Sequence, residues 1–266
     1  MLTFRTYTVL FFILLAVLNI ASIFGCGISV CFFCSNILWF YFILIAIYLV
    51  VPVALAFLPC SNFHHKVYCA GDTRDRVVAL TFDDGPDPEN TPGILDVLKV
   101  EQVPANFFLI GKKLESNETL VQRVVSEGHL AGNHSWSHAY WFDLFSAKKM
   151  IREFTFTKDE IGRITGKKPM MIRPPYGVVN PMLSKAARKT RNSLIGWNIR
   201  SLDTVKKDHA EISRKVLKGL KPGAVILFHD TSAFSSVSLR LLIQEIRKRG
   251  YTFVLLDQLL NLPAYE

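Results

Sequence analysis

Two carboxylates stand side by side at Asp83-Asp84, at the end of an apolar run from Val77 to Phe82. That run reads as a buried strand, which Gly85-Pro86 stops at once. Adjacent acids repel, and neither sits comfortably at a strand end unless a cation holds it. A divalent metal that takes one carboxylate and leaves the other free as a base would do so. Taken alone, the dipeptide reads equally well as a solvated Asp-Gly-Pro turn.

Four further clusters decide between these readings. His134 and His138, in Asn133-His134-Ser135-Trp136-Ser137-His138, are four residues apart. On one face of a helical turn that spacing brings both imidazoles to one metal. Two His and one Asp make a facial set of three ligands with open positions, which is a catalytic rather than a closed structural pattern. Arg173-Pro174-Pro175-Tyr176-Gly177 is a rigid turn that leaves the Tyr176 N–H to donate and an Arg to pair with a rim carboxylate. Trp197, followed by Ser201-Leu202-Asp203, offers a pocket wall and an acceptor for a histidine. Leu227-Phe228-His229 ends a very apolar run, Ala224 to Phe228, with an imidazole. Singly, each has a bland alternative: a chance pair of histidines, a proline turn, core packing, a helix cap, a satisfied strand-end histidine.

The elements that must position these residues alternate. Strand-like runs lie at Val77–Phe82, Ala105–Ile110, His129–Asn133, Met170–Arg173, Ser193–Trp197, Ala224–His229 and Thr252–Leu256. Amphipathic stretches between them predict helices over Pro92–Glu101, Glu118–Glu127, Ala147–Thr165, Pro181–Lys189, His209–Leu220 and Ser238–Arg249. Alternating strand and helix predicts an α/β fold with parallel strands, and about seven such units close or nearly close a barrel. All five clusters fall at or just after strand ends, where such barrels carry their chemistry.

Together the clusters resemble the polysaccharide deacetylases with a NodB homology domain, carbohydrate esterase family 4. The family's motifs T-F-D-D-G, H-S/T-x-x-H, R-x-P-Y/F and L-x-H stand here as Thr81–Gly85, His134–His138, Arg173–Tyr176 and Leu227–His229. The Trp/Asp motif departs from the family, reading Asp203-Thr204 where Asp-Trp is usual. The resemblance covers about residues 75 to 260. It implies an α/β fold, a NodB-type distorted (β/α)7 barrel. It implies Asp84, His134 and His138 as ligands of a divalent metal, zinc first, with cobalt, manganese or nickel as alternatives. Asp83 is implied as general base held by Arg173, and His229, kept protonated by Asp203, as general acid. The Tyr176 N–H is implied as an oxyanion donor, and Leu227 and Trp197 as an acetyl-methyl pocket.

The front of the chain is of another kind. No Asp, Glu, Lys or Arg occurs between Thr6 and Asn62, and every acid lies at or beyond Asp72. Apolar stretches over about 8–24 and 37–58, separated by a turn over Cys26–Asn36, predict a two-helix transmembrane hairpin within residues 1–60. A secretory signal is the alternative for the first stretch. Residues 61–74 read as a linker and 75–262 as the deacetylase-like domain. Flanking His64, His65, Lys66, Arg74 and Arg76 favour a cytoplasmic domain by the positive-inside bias, whereas the envelope chemistry favours an extracytoplasmic one, which is the expectation adopted.

All five cysteines, Cys26, Cys31, Cys34, Cys60 and Cys69, belong to the front part, which excludes thiol catalysis beyond Cys69. Cys31-x-x-Cys34 lacks the βαβ setting of a redox motif. The net charge of +9 suits anionic lipid or cell-wall polymer. No nucleic-acid motif appears, and no protein partner is expected. The expected activity is removal of N-acetyl groups from a cell-envelope polysaccharide, peptidoglycan first. A lipid-linked sugar as substrate, or an inactive carbohydrate-binding anchor, are the rivals. A membrane transporter would need polar residues within the spans, and almost none are there.

Overall fold

Residues 3–24, 30–232, 234 and 236–266 are described by the computed structural model, with backbone alone over 21–24 and 30–38. Two apolar helices lead the chain, α1 (Phe4–Phe24) and α2 (Val30–Ala56). They pack antiparallel: Tyr7 stacks on Tyr48 at 5.5 Å, Phe11 on Tyr48 at 4.2 Å, and the Tyr41 hydroxyl donates to Asn19 Oδ1 at 3.3 Å. Trp39–Ala56 is long and apolar enough to cross a bilayer. In α1 the apolar segment with described side chains is Phe4–Ile20, within a helix of 21 residues. Among the described residues one helix, α2, is long and apolar enough to cross a bilayer, and α1 lies beside it as a shorter apolar helix. The turn expected over Cys26–Asn36 needs correction from Val30 onward. Helix α2 already runs from Val30, because Cys31, Cys34, Ser35 and Asn36 do not break a helix as Pro does. Cys26 itself lies outside the described residues.

Helix α2 ends docked on the following domain. The Ala56 carbonyl accepts from the Val179 N–H at 2.8 Å, and His64 Nε2 lies 2.9 Å from the Pro52 carbonyl oxygen. A disulfide joins Cys60 to Cys69 with 5.9 Å between their Cα atoms.

The domain then alternates strand and helix: β1 (Val67–Tyr68), β2 (Val77–Gly85), α3 (Thr91–Glu101), β3 (Ala105–Leu109), α4 (Glu118–Ser126), β4 (Leu130–Asn133), α5 (Ala147–Thr165) and β5 (Met171–Ile172). It continues as α6 (Pro181–Thr190), β6 (Ser193–Ile195), β7 (Ile199–Arg200), α7 (His209–Gly219), β8 (Ala224–His229), α8 (Ser236–Lys248), β9 (Thr252–Phe253) and α9 (Leu256–Leu260). The named strands pair parallel in the order β1-β6-β5-β4-β3-β2-β8-β7, with β9 on β2. Among the described residues the sheet is a curled half-barrel with β1 and β7 at its two ends, in keeping with the expected distorted (β/α)7 barrel.

Strand β2 is buried almost throughout, its outer face under helices and its inner face among side chains of the other strands. Its outer face packs with α3, α4, α7 and α8 in one core around Leu80, Phe82, Phe107 and Phe228. The strand expected over Thr252–Leu256 is shorter, and α9 starts at Leu256 instead. Buried Asn106 explains the change: its amide donates to the Leu80 carbonyl and its Oδ1 accepts from the Leu256 N–H, both at 2.9 Å. That bond fixes the start of α9 across the foot of the sheet. At the opposite end, the C-terminal ends of β2, β4, β5 and β8 form the rim that carries the expected site residues.

Candidate active site

Strand β2 runs through both carboxylates rather than stopping before them. Pairing with β8 sets Thr81 opposite Leu227 and Asp83 opposite His229. Alternation along a strand puts Thr81 and Asp83 on one face, and Leu227 and His229 on one face of its neighbour. Arg173 reads the β2 face directly: its guanidinium Nη1 donates to Thr81 Oγ1 and to Asp83 Oδ1, each at 2.7 Å. It is wholly buried, donates from Nη2 to the Gly196 carbonyl at 3.0 Å, and lies 4.2 Å above the Phe108 ring. One Asp83 oxygen is therefore committed to a fixed cation, and the other faces His134 Nε2 at 3.8 Å.

Asp84 turns away from its neighbour because its backbone sits in the left-handed region, at φ 71°. Its Oδ1 lies 3.4 Å from His134 Nε2 and 3.3 Å from His138 Nε2. That oxygen is buried and makes no hydrogen bond. The ligand atoms of Asp84, His134 and His138 all lie within 4.8 Å of one another. A buried acceptor left without a donor, facing two imidazole nitrogens, is the donor set of a divalent cation. His134 Nδ1 is 2.7 Å from the Arg173 carbonyl oxygen, to which it donates, leaving Nε2 as the lone-pair nitrogen. Burial, aided by His134, pushes the His138 imidazole down to about 4, so at neutral pH it is the unprotonated form that a metal requires. Burial alone would raise the Asp84 carboxyl, but His134, with His138 and His229, outweighs it and holds the group well below the usual range.

The His134–His138 segment is not the helical turn that the spacing suggests. Ser135 and His138 have φ of 66° and 45°, and the loop is held by side chains instead. Asn133 Oδ1 accepts from the Ser135 N–H at 2.9 Å, and Ser135 Oγ from the His138 N–H at 3.1 Å. Glu153, on α5, accepts at one oxygen from the Trp136 N–H, the Ser137 N–H and the Ser137 hydroxyl at 3.1, 2.7 and 2.9 Å. Sequence reasoning missed Glu153; nothing in an amphipathic helix marks one Glu as a loop clamp. Replacing Glu153 by Ala is expected to lower metal affinity about 10–100-fold, the usual cost of losing outer support for a ligand. Isothermal titration of the stripped protein with zinc measures this.

Across the rim, Asp203 grips His229 twice. Its Oδ1 lies 2.9 Å from His229 Nδ1 and its Oδ2 accepts from the His229 N–H at 2.8 Å. Ser201 adds a bond to Oδ1 at 2.8 Å. Burial works to lower the His229 pKa, but Asp203, Asp83 and Asp84 together raise it above its usual value. Tyr176 is half exposed at φ 57°, with its ring edge-on to His138 at 4.9 Å. Trp197 closes the pocket behind it: a Cβ on Gly177, itself at φ 71°, would come within 2.5 Å of the indole. Leu227 is buried, two positions before His229 on the same strand. All ten expected residues thus belong to one rim and its floor.

Asp230 was also missed. It is fully buried, accepts from Thr91 Oγ1 at 2.5 Å, and crowds Gly85 so that a Cβ there would collide with its Oδ2. Burial pushes its carboxyl up to about 7.

The Polysaccharide deacetylase family model matches residues 70–194. A peptidoglycan-N-acetylglucosamine deacetylase of Bacillus cereus (strain ATCC 14579) is 32% identical over 201 residues, covering 70% of this chain and 89% of that protein. The chain belongs to the polysaccharide deacetylase family. This family member is also 36% identical over 182 residues to the peptidoglycan-N-acetylglucosamine deacetylase PgdA of Listeria monocytogenes serotype 1/2a (strain 10403S). That match covers 68% of this chain but only 38% of the Listeria protein's length. The crystal structure of the peptidoglycan N-acetylglucosamine deacetylase Bc1960 superposes with a TM-score of 0.71 at 32% identity, covering 75% of this chain and 95% of that one. Deacetylases of the family depend on divalent metals, and the Asp84, His134 and His138 cluster fits that dependence.

Proposed function

We propose that this protein is a metal-dependent N-deacetylase of peptidoglycan sugars, N-acetylglucosamine or N-acetylmuramic acid. One observation carries the reading: the ligand atoms of Asp84, His134 and His138 lie within 4.8 Å of one another, on a rim that also holds a carboxylate pinned by Arg173 and an imidazole pinned by Asp203. Asp84, His134 and His138 would hold the metal, zinc first, with cobalt, manganese or nickel as alternatives. When bound, the cation supplies positive charge that polarises the amide and acidifies a water. Asp83, with its second oxygen free, takes the proton of the attacking water. Arg173 supplies the counter-charge of Asp83 and fixes its direction. The Tyr176 N–H donates to the oxygen on which charge develops. His229 passes its proton to the sugar nitrogen as the carbon–nitrogen bond breaks, giving a free amine and acetate. Trp197 and Leu227 wall the space for the acetyl methyl.

The chain keeps every group that turnover needs, which favours an enzyme over an inactive carbohydrate-binding anchor. Residues up to about 60 serve as a membrane anchor, 61–74 as a linker and 75–262 as the catalytic domain. The Cys60–Cys69 disulfide favours a domain outside the cytoplasm, where such bonds persist. The test is acetate release from peptidoglycan fragments and from short N-acetylglucosamine oligomers by the full chain in detergent. Chelation is expected to abolish release and zinc to restore it. No release from either sugar with metal bound would overturn the peptidoglycan assignment in favour of a lipid-linked sugar.

A further inference from the structure

The loop that follows His138 carries apolar side chains that the catalytic reading does not use. Tyr140, Trp141 and Leu144 are 75%, 64% and 76% exposed, and the two aromatic rings meet edge-to-face at 4.7 Å. Large apolar side chains clustered in water mark a surface that something covers. Lysines flank them: Lys148 and Lys149 are exposed, and the Lys149 ammonium lies 3.3 Å from the centre of the Phe145 ring. Met182 and Lys185, at the start of α6, are exposed as well.

The position of this loop identifies its cover. Asn180 donates from Nδ2 to the Asp143 carbonyl at 2.7 Å, which ties the loop to the start of α6. The residue before it, Val179, donates its N–H to the Ala56 carbonyl at the end of α2. Two consecutive residues therefore link the aromatic loop to the last turn of the apolar helix. Phe57 and Leu58, where the chain leaves that helix, are also exposed, at 63% and 57%. Trp and Tyr rings beside lysines are the side chains that settle at the boundary between acyl chains and headgroups.

We infer that the Tyr140–Leu144 loop and the start of α6 rest in the interfacial layer of the bilayer, beside the exit of α2. The inference rests on the membrane anchoring proposed above. His138 is two residues from Tyr140, so the pocket then opens close to the membrane surface. It takes N-acetylated sugars that are still carried there, on a lipid or on newly made glycan. A sugar-stacking platform is the other use for exposed aromatic rings. The lysines, Leu144 and the continuity with α2 favour the bilayer, since a neutral sugar ring calls for none of them.

Brominated lipids, which quench tryptophan on contact, provide the test. The full chain carrying Trp39→Phe is placed in vesicles of phosphatidylethanolamine and phosphatidylglycerol with bromine near the headgroup end of the acyl chains. Quenching is expected, and adding Trp141→Phe is expected to remove it. Equal quenching with and without Trp141, or none in either, would overturn the docking face. A shift of Trp141 emission by N-acetylglucosamine oligomers, without bromolipid quenching, would overturn it in favour of a sugar platform. Near-UV circular dichroism shows whether both variants are folded. Quenching needs no turnover, so an inactive but quenched protein would sink the deacetylase reading and leave the docking face standing.

Discussion

Replacing Asp83 by Asn is expected to lower kcat by about 10³-fold while leaving metal binding intact, the scale of a lost general base. The substitution preserves shape. The introduced amide can still accept from Arg173 through its oxygen, as the carboxylate does at 2.7 Å. What is lost is the second carboxylate oxygen, the one that faces His134 Nε2 at 3.8 Å without bonding to Arg173. An amide nitrogen there cannot take a proton from water. The same change leaves the buried Arg173 cation without its counter-charge, although Thr81 Oγ1 and the Gly196 carbonyl still accept from it. A lower melting temperature should therefore accompany the loss of activity, because an uncompensated buried charge is costly. Metal content, kcat and melting temperature measured on one preparation separate the roles. Near-normal kcat would rule out Asp83 as base. Lost metal with intact folding would make Asp83 a ligand instead.

What the sequence could and could not convey follows from the range of each interaction. Asp83-Asp84 was legible because a long apolar run leads into it and Gly85-Pro86 follows, all in one short segment from Val77 to Pro86. Arg173 was legible as a partner for a rim carboxylate because both end strands on one rim. The strands β1 and β7 were not, since Val67-Tyr68 and Ile199-Arg200 are apolar for too few residues to stand out, whereas the equally short β5 and β9 begin or lie in longer apolar runs. The start of α9 read as the end of a strand because Phe253-Val254-Leu255-Leu256 is an unbroken apolar run, which carries no period to separate strand from helix. The choice is made far away in the chain, where Asn106 claims the Leu256 N–H. Glu153 and Asp230 act through contacts that close only when the barrel does, so neither carries a local signature. The Ser135 and His138 backbones are the same case: their left-handed geometry is imposed by Asn133 and Glu153, and histidine spacing alone suggested a helix.

Replacing Asp203 by Asn is expected to move the alkaline limb of the kcat/KM profile to lower pH and to reduce kcat at neutral pH by about 10²-fold. The sign follows from the opposing influences on His229. Burial lowers its pKa, and the bond from Asp203 is foremost among those that raise it above the usual 6.5. The general acid must be protonated, so activity is present below the folded pKa and is lost as pH rises through it. Without the Asp203 charge, burial is opposed only by Asp83 and Asp84, and the proton leaves at lower pH. Stability follows the same pair. The contribution from His229 is fully present below 6.5 and lost as pH rises through its raised folded value. Asp203 is depressed, so its contribution is present above 3.8 and lost as pH falls through its folded value. Wild type, Asp203→Asn and His229→Gln are compared by pH–rate profile. His229→Gln should lose the alkaline limb altogether, and Asp203→Asn should recover part of its rate on acidification. An alkaline limb unchanged in both variants would assign it to another group and remove His229 from the role of acid.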